Sequence, residues 1–174
     1  MKQDINMISK GAKLILKGLG IDISDPDFID TPQRVARSLL QYIAPESNLE
    51  NAEKHLGVSF PSQYVGPITM SNMRVKSMCP HHLLPIIYHA DLTYIPQNGN
   101  VVGSSKPFLF LKELARLPIL QEELTRLFGI TFEKIVHPLG ISFELRGTFL
   151  CYENDGMISD QSEMITFYKA GTLI

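Results

Sequence analysis

The chain has 174 residues, 44% of them hydrophobic and 20% charged, which is ordinary composition for one globular unit with its own core. A balance of 16 Lys and Arg against 18 Asp and Glu leaves a formal net charge of −2, and no local run of basic residues stands out, so nucleic acid is not an expected partner. Charges recur every few residues in MKQDINMISKGAKLILKGLG, which excludes a signal-peptide or membrane-spanning reading of that stretch; the expected location is the cytoplasm.

Ile5, Ile8, Ala12, Ile15, Leu16 and Leu19 recur at helical spacing, and Gly20 stands where a helix terminator belongs, so the spacing predicts a first helix ending there. A second helix follows in IDTPQRVARSLLQYIAP, with Asp30 or Thr31 as cap, Pro32 at the first helical position, and Val35, Leu39 and Ile43 toward a core. From Ser47 to about Ser62 the pattern weakens around Gly57 and Pro61, and an irregular connector is expected.

The period then changes. ITMSNMRVKSM alternates, and IIYHADLTYIP puts Ile86, Tyr88, Ala90, Leu92 and Tyr94 on one face, so two strands are expected with the Cys79 loop between them. Residues 106–140 read as two helices with a step at Pro118, closed by Pro138–Gly140. GISFELRGTFLCYE alternates again, and GMISDQSEMITFYKAG is its expected partner strand. The predicted class is α+β, one antiparallel sheet with helices on one face and two N-terminal helices: an N-terminal helical region, 1–62, continuous with a second region, 63–174, in one structural unit.

SMCPHHLLP, residues 77–85, is hard to read as packing alone. Zinc prefers thiolate and imidazole, and Cys79 three residues before His82 on a turn lets two such groups converge on one ion. A third soft ligand must come from elsewhere, and Cys151 is the only other cysteine. Three protein ligands leave a coordination position for water, the arrangement of catalytic zinc. The competing reading makes both thiols small buried hydrophobes and lets the histidines cap a turn.

DTPQRVARSLL, SMCPHHLLP, TYIP, GSSK, QEELT and GTFLCYE, in this order, resemble the GTP cyclohydrolase I family over nearly the whole chain. The resemblance implies the tunnelling fold, a ring-shaped homo-oligomer with active sites between subunits, and zinc held by Cys79, His82 and Cys151; ferrous iron is an alternative for such ligands. It implies a small heterocyclic substrate, His81 as proton carrier, Ser105 and Lys106 on phosphate, and Gln121 with Glu122 on the purine edge. In that family activated water attacks C8 of the guanine of GTP, formate leaves and a dihydropterin ring closes.

Several positions depart from the family pattern. Phe149 stands where the resemblance implies a catalytic histidine, Leu109 and Asp155 where it implies triphosphate-binding arginines, and Pro80 where it implies an acid. Losing two charge-assisted contacts and adding a carboxylate disfavours a polyanion by several kcal/mol at typical magnitudes. The sequence therefore favours a zinc hydrolase of GTP cyclohydrolase I type acting on a purine-like or related nitrogen heterocycle with altered substrate. The alternatives are an authentic GTP cyclohydrolase I and a non-catalytic binding protein on the same scaffold.

Overall fold

Asp4 starts the first helix by accepting the backbone N–H groups of Asn6 and Met7 at 2.9 and 3.0 Å, and Gly20, at φ 77°, stands just past its end as the sequence predicts. The computed structural model describes residues 3–44, 49–154 and 162–174. Helix α1 (Ile5–Gly18) packs on α2 (Thr31–Tyr42), which carries Pro32 in its first turn. The face α2 buries is centred on Pro32 and Ala36, while Val35, Leu39 and Ile43 are only half-buried.

The expected irregular connector is corrected by the structure. It contains α3 (Leu49–Leu56) and a short strand β1 (Ser59–Pro61). Leu49, Ala52 and Leu56 are spaced i, i+3, i+7, and Ala52 and Leu56 are buried where α3 meets α4 and α5. Eight residues are too few for a stable helix alone, so tertiary packing decides its existence.

Strands β2 (Ile68–Met78) and β3 (Pro85–Ile95) flank the Cys79 loop as expected. The short strand β4 (Asn100–Val102) pairs with β1, and α4 (Lys106–Leu114) and α5 (Gln121–Val136) follow on either side of Pro118. Strand β5 (Gly140–Phe149), a short helix α6 (Leu150–Asn154) and β6 (Met164–Gly171) complete the described elements. The predicted last strand began at Gly156, and residues 155–161 lie outside the described residues. The main sheet is antiparallel in the order β2-β3-β5-β6.

Alternation holds along β3 and β5: Ile86, Tyr88, Ala90, Leu92, Tyr94, Ile141, Phe143 and Leu145 are all buried on the helix side. There Phe128 of α5 stacks on Phe143 with ring centroids 3.9 Å apart and planes 15° apart, and Phe110 and Phe132 flank it. The stack fixes α5 across β5, and with it the N-terminus of α5 where Gln121 and Glu122 begin.

Tyr168 of β6 lies over Gly129 of α5, and its hydroxyl donates to Glu133. Burial first, then the Glu133 carboxylate, pushes the Tyr168 phenol up to about 12. A Cβ at position 129 would fall within the Tyr168 ring. Gly129→Ala, worth a gain of about 1 kcal/mol in an ordinary helix interior, is therefore expected to destabilise by about 1–3 kcal/mol through overpacking. Urea unfolding checks this, and in a Tyr168→Ala background the same change is expected to become neutral or stabilising.

Candidate functional site

Between β2 and β3 the chain turns through Cys79–Leu84. The Leu83 N–H donates to the Cys79 carbonyl and the Cys79 N–H to the Leu84 carbonyl, each at 2.9 Å, closing a single helical turn that ends with Leu83 at φ 54°. Pro80 opens this turn, where its fixed φ suits and its missing N–H costs nothing. The closure brings His82 Nδ1 to 3.6 Å from Cys79 Sγ.

Cys151 arrives from the neighbouring strand. The β3–β5 register pairs Ile86 with Phe149, so the chain leaving β5 passes beside the Cys79 loop and turns into α6. The sequence placed Cys151 in a strand; it lies instead in the first turn of α6, because the ladder ends at Phe149 and the chain bends there toward the loop. One ligand atom from each of Cys79, His82 and Cys151 lies within 4.8 Å of the others, and the two cysteines form no disulfide.

The three line a cleft of about 150 Å³ with His81, Gln121, Glu122 and an aromatic wall of Tyr88, Phe149 and Tyr152. Phe149 stacks on Tyr152 at 4.8 Å and meets Tyr88 edge-on at 6.2 Å. Burial pushes the Cys79 thiol up, but hydrogen bonds from the His82 ring, the His82 and His81 backbone and Cys151 outweigh it, and the net shift is downward. Burial raises the Tyr88 and Tyr152 phenols, and negative charge at Cys79 and Glu122 raises them further. No Lys or Arg is among the described lining residues, so two thiols and a carboxylate face one another without an ammonium or guanidinium group.

Gln121 is set by backbone. Its Nε2 lies 2.8 Å from the Leu145 carbonyl, 2.9 Å from the Met164 carbonyl and 3.1 Å from Thr166 Oγ1, while its Oε1 is buried with no partner. Reversing the amide would set its oxygen against two carbonyls, so the neighbours fix its orientation. Gly147 makes room, since a Cβ there would collide with Oε1.

A family model described as GTP cyclohydrolase I matches residues 8–173. The chain belongs to the GTP cyclohydrolase I family. It is 35% identical over 163 residues to "GTP cyclohydrolase 1" of Desulforamulus reducens, covering 94% of this chain and 86% of that protein. Identity to the proteins of the same name from Lysinibacillus sphaericus and Listeria monocytogenes is 30%, over 97% and 94% of this chain and 88% and 85% of theirs. A solved structure of an archaeosine synthase QueF-Like in the apo form aligns with a TM-score of 0.46 and 17% identity over 65% of this chain and 99% of that one, a likeness too weak to carry weight. As a GTP cyclohydrolase I family chain whose described residues form antiparallel sheets and six helices, it has the tunnelling fold in the α+β class.

Of the residues the family resemblance singled out, the structure brings together Cys79, His81, His82, Gln121, Glu122 and Cys151. It does not bring Ser105 and Lys106 to them: both sit at the start of α4 and neither lines the cleft, and Leu109 lies in the next turn. Asp155 lies outside the described residues. Sequence reasoning missed Tyr88 and Tyr152 as cleft residues, the first because its alternation reads as core, although Tyr152 adjoins Cys151. No helix of the described residues is long and apolar enough to cross a membrane.

Because the Cys79 thiol titrates below its ordinary value, the folded state holds fewer protons than the unfolded chain between the two values. Its contribution to the stability of the metal-free protein is thus complete above the ordinary thiol pKa of about 8.5 and is lost as pH falls through the depressed one. Thiolate absorbance at 240 nm is expected to show one cysteine titrating below about 8.5, and His82→Ala should move that titration upward.

Proposed function

We propose that this chain is a zinc-dependent hydrolase of GTP cyclohydrolase I type, acting on a purine-like or related nitrogen heterocycle with substrate requirements altered from those of GTP. The observation that carries the reading is the convergence of Cys79, His82 and Cys151 within 4.8 Å in a cleft that also holds Gln121 and Glu122. A tetrahedral zinc with Zn–S of ~2.3 Å and Zn–N of ~2.0 Å separates its ligand atoms by ~3.5–3.8 Å, and the 3.6 Å between Cys79 Sγ and His82 Nδ1 fits this. The soft donor set of two thiols and an imidazole, with no Lys or Arg among the described lining residues, fits a divalent cation as well; ferrous iron is a second occupant such ligands accept. When bound, zinc supplies Lewis acidity and lowers the pKa of water to about 7.

The chain's own residues do the rest. The unspent Oε1 of Gln121 accepts an N–H from the ring edge, in a place where an unmatched acceptor would otherwise cost about 1–3 kcal/mol. The Glu122 carboxylate, at the rim, accepts two N–H bonds from an amidine-like edge. The aromatic wall of Tyr88, Phe149 and Tyr152 offers a planar ring a stacking surface and keeps water from it. His81, exposed beside the ligands, carries protons, since an imidazole can accept one at one nitrogen and donate one from the other. Phe149, in the same cleft, cannot.

Phosphate contacts from Ser105 and Lys106 require the start of α4 of another copy, consistent with a ring-shaped homo-oligomer whose sites lie between subunits. The reading of residues 1–62 as an N-terminal helical region continuous with a tunnelling-fold region, 63–174, in one structural unit is part of the same proposal. A second reading, authentic turnover of GTP to a dihydropterin, is favoured by the names of relatives at 30–35% identity. Against it stand Phe149 in the wall of the cleft and the residues Leu109 and Asp155.

Metal analysis of the purified protein is expected to give one divalent ion per chain, lost in Cys79→Ala and in Cys151→Ala but kept in His81→Ala. Stoichiometric metal in the double cysteine variant would rule the site out. In a screen of guanine, guanosine, GMP and GTP by ultraviolet absorbance and pterin fluorescence, GTP is expected to be a poor substrate of the metal-loaded protein. Phe149→His combined with Leu109→Arg and Asp155→Arg should raise pterin formation. Rapid formation of a dihydropterin from GTP by the unaltered chain would establish the second reading instead.

A further inference from the structure

A pocket of about 200 Å³ lies at the opposite end of α5 from the thiol cleft and shares no lining residue with it. Helix α5 has 16 residues and is therefore about 24 Å long, with Gln121 at the cleft and Val136 at this pocket. The other walls come from the end of α3, from β1, from the turn between β3 and β4, and from β4 itself. No residue of β2 or β6, the two edges of the main sheet, takes part, so pairing of those edges with other copies does not by itself close the pocket.

Its floor is apolar. Leu56 and Val102 are buried beneath it, and Ile135 and Val136 are half-buried at its side. Its rim is polar but carries no carboxylate, lysine or arginine: Ser59, Gln97, Asn98, Asn100 and His137 supply hydroxyl, amide and imidazole groups. The Asn100 Nδ2 donates to the Asn98 carbonyl at 3.1 Å, which leaves the Asn100 Oδ1 to accept from elsewhere.

Two helices end here, and α5 ends short of donors. Pro138 has no N–H to return to the Lys134 carbonyl, and the Leu139 N–H goes to the Ile95 carbonyl at 2.9 Å instead of to Ile135. The last turn of each helix holds a lysine suited to offset the negative end, yet both are engaged elsewhere: Lys54 donates to Asn51 Oδ1 at 2.8 Å, and Lys134 Nζ lies 3.4 Å from Glu53. Neither lysine lines the pocket. Two helix C-termini, each worth about half a negative charge, favour a cation over a neutral molecule and a neutral molecule over an anion.

An apolar floor beneath a rim of acceptors matches a ligand with one end of each kind. A hydrated metal ion would leave the floor unused, and a hydrocarbon would leave the carbonyls of α5 unmatched. We propose that this pocket binds a small organic amine, its ammonium group bonded to rim oxygens and to the end of α5, and its hydrocarbon body on Leu56, Val102, Ile135 and Val136. The site stands whether or not the cleft performs the proposed hydrolysis.

Saturation-transfer NMR of cyclohexylamine with the full chain tests it, with cyclohexanol and cyclohexanecarboxylate as neutral and anionic bodies of the same shape. Saturable binding of the amine is expected, about fivefold weaker for the alcohol and absent for the carboxylate. Ser59→Lys should weaken amine binding about tenfold and Asn100→Asp should strengthen it about threefold or more, since each adds a charge at an exposed rim position. Glu122→Gln, which removes the carboxylate of the thiol cleft, should leave it unchanged. No saturable binding of the amine to the unaltered chain up to about 20 mM would overturn the proposal. Equal binding of amine and alcohol, amine binding that ignores both rim variants, or amine binding lost in Glu122→Gln would overturn it as well.

Discussion

The register between β3 and β5 is the constraint on which the rest depends. Ten residue pairs run without interruption from Ile86–Phe149 to Ile95–Gly140, and the alternation of buried side chains on both strands leaves no second solution. A slip of one residue would turn Tyr88, Leu92, Phe143 and Leu145 to the outer face and bring polar Glu144 and Arg146 into the core. The same register decides which residues meet at the end of the ladder. It places the start of α6 beside the Cys79 loop, so the thiols converge because the core is packed correctly and not because they attract one another.

The core also sets the second half of the cleft. Phe128 on Phe143 holds α5 against β5, and the first turn of α5 then presents Gln121 to the Leu145 carbonyl and Glu122 to the rim. Chemistry is thereby segregated by sign. Cys79, Cys151 and Glu122 gather at one end of the sheet around a place suited to a cation, while Arg74, Lys76, Lys112 and Arg116 gather at the β2 edge. A small net charge for the whole chain conceals both.

How much of this is visible in the sequence follows from how local each feature is. The strands around residues 68–78, 86–95 and 141–149 alternate because one face is buried and the other is not, and period 2 survives in the residues themselves. Cys79 and His82 share a single turn, so their spacing announces them. Cys151 is 72 positions away from Cys79 in sequence, and only the strand register makes it a neighbour. Helix α3 is hidden for a related reason: Leu49, Ala52 and Leu56 mark it weakly, and burial against α4 and α5 does the rest. The basic cluster at the β2 edge is invisible because its cations come in pairs from elements more than thirty residues apart, and no window contains them all. The start of α4 shows the opposite failure. Ser105 and Lys106 carry a legible motif, yet within one chain they sit away from the cleft the motif suggests.

The Gln121 amide has two hydrogens but three acceptors within reach, one on β5 and two on β6. It is therefore a clasp between an interior strand and the outermost one. The far side of β6 is an open sheet edge, and anything that straightens or tilts that edge displaces the Met164 carbonyl and Thr166 hydroxyl, to which the clasp is fastened. Its oxygen would swing by a corresponding fraction of an ångström within the cleft. Ring recognition in this fold is thus mechanically sensitive to what lies alongside β6: a neighbour that pairs with the edge would lock the acceptor's aim, and an unpaired edge would leave that aim to fluctuate with the strand.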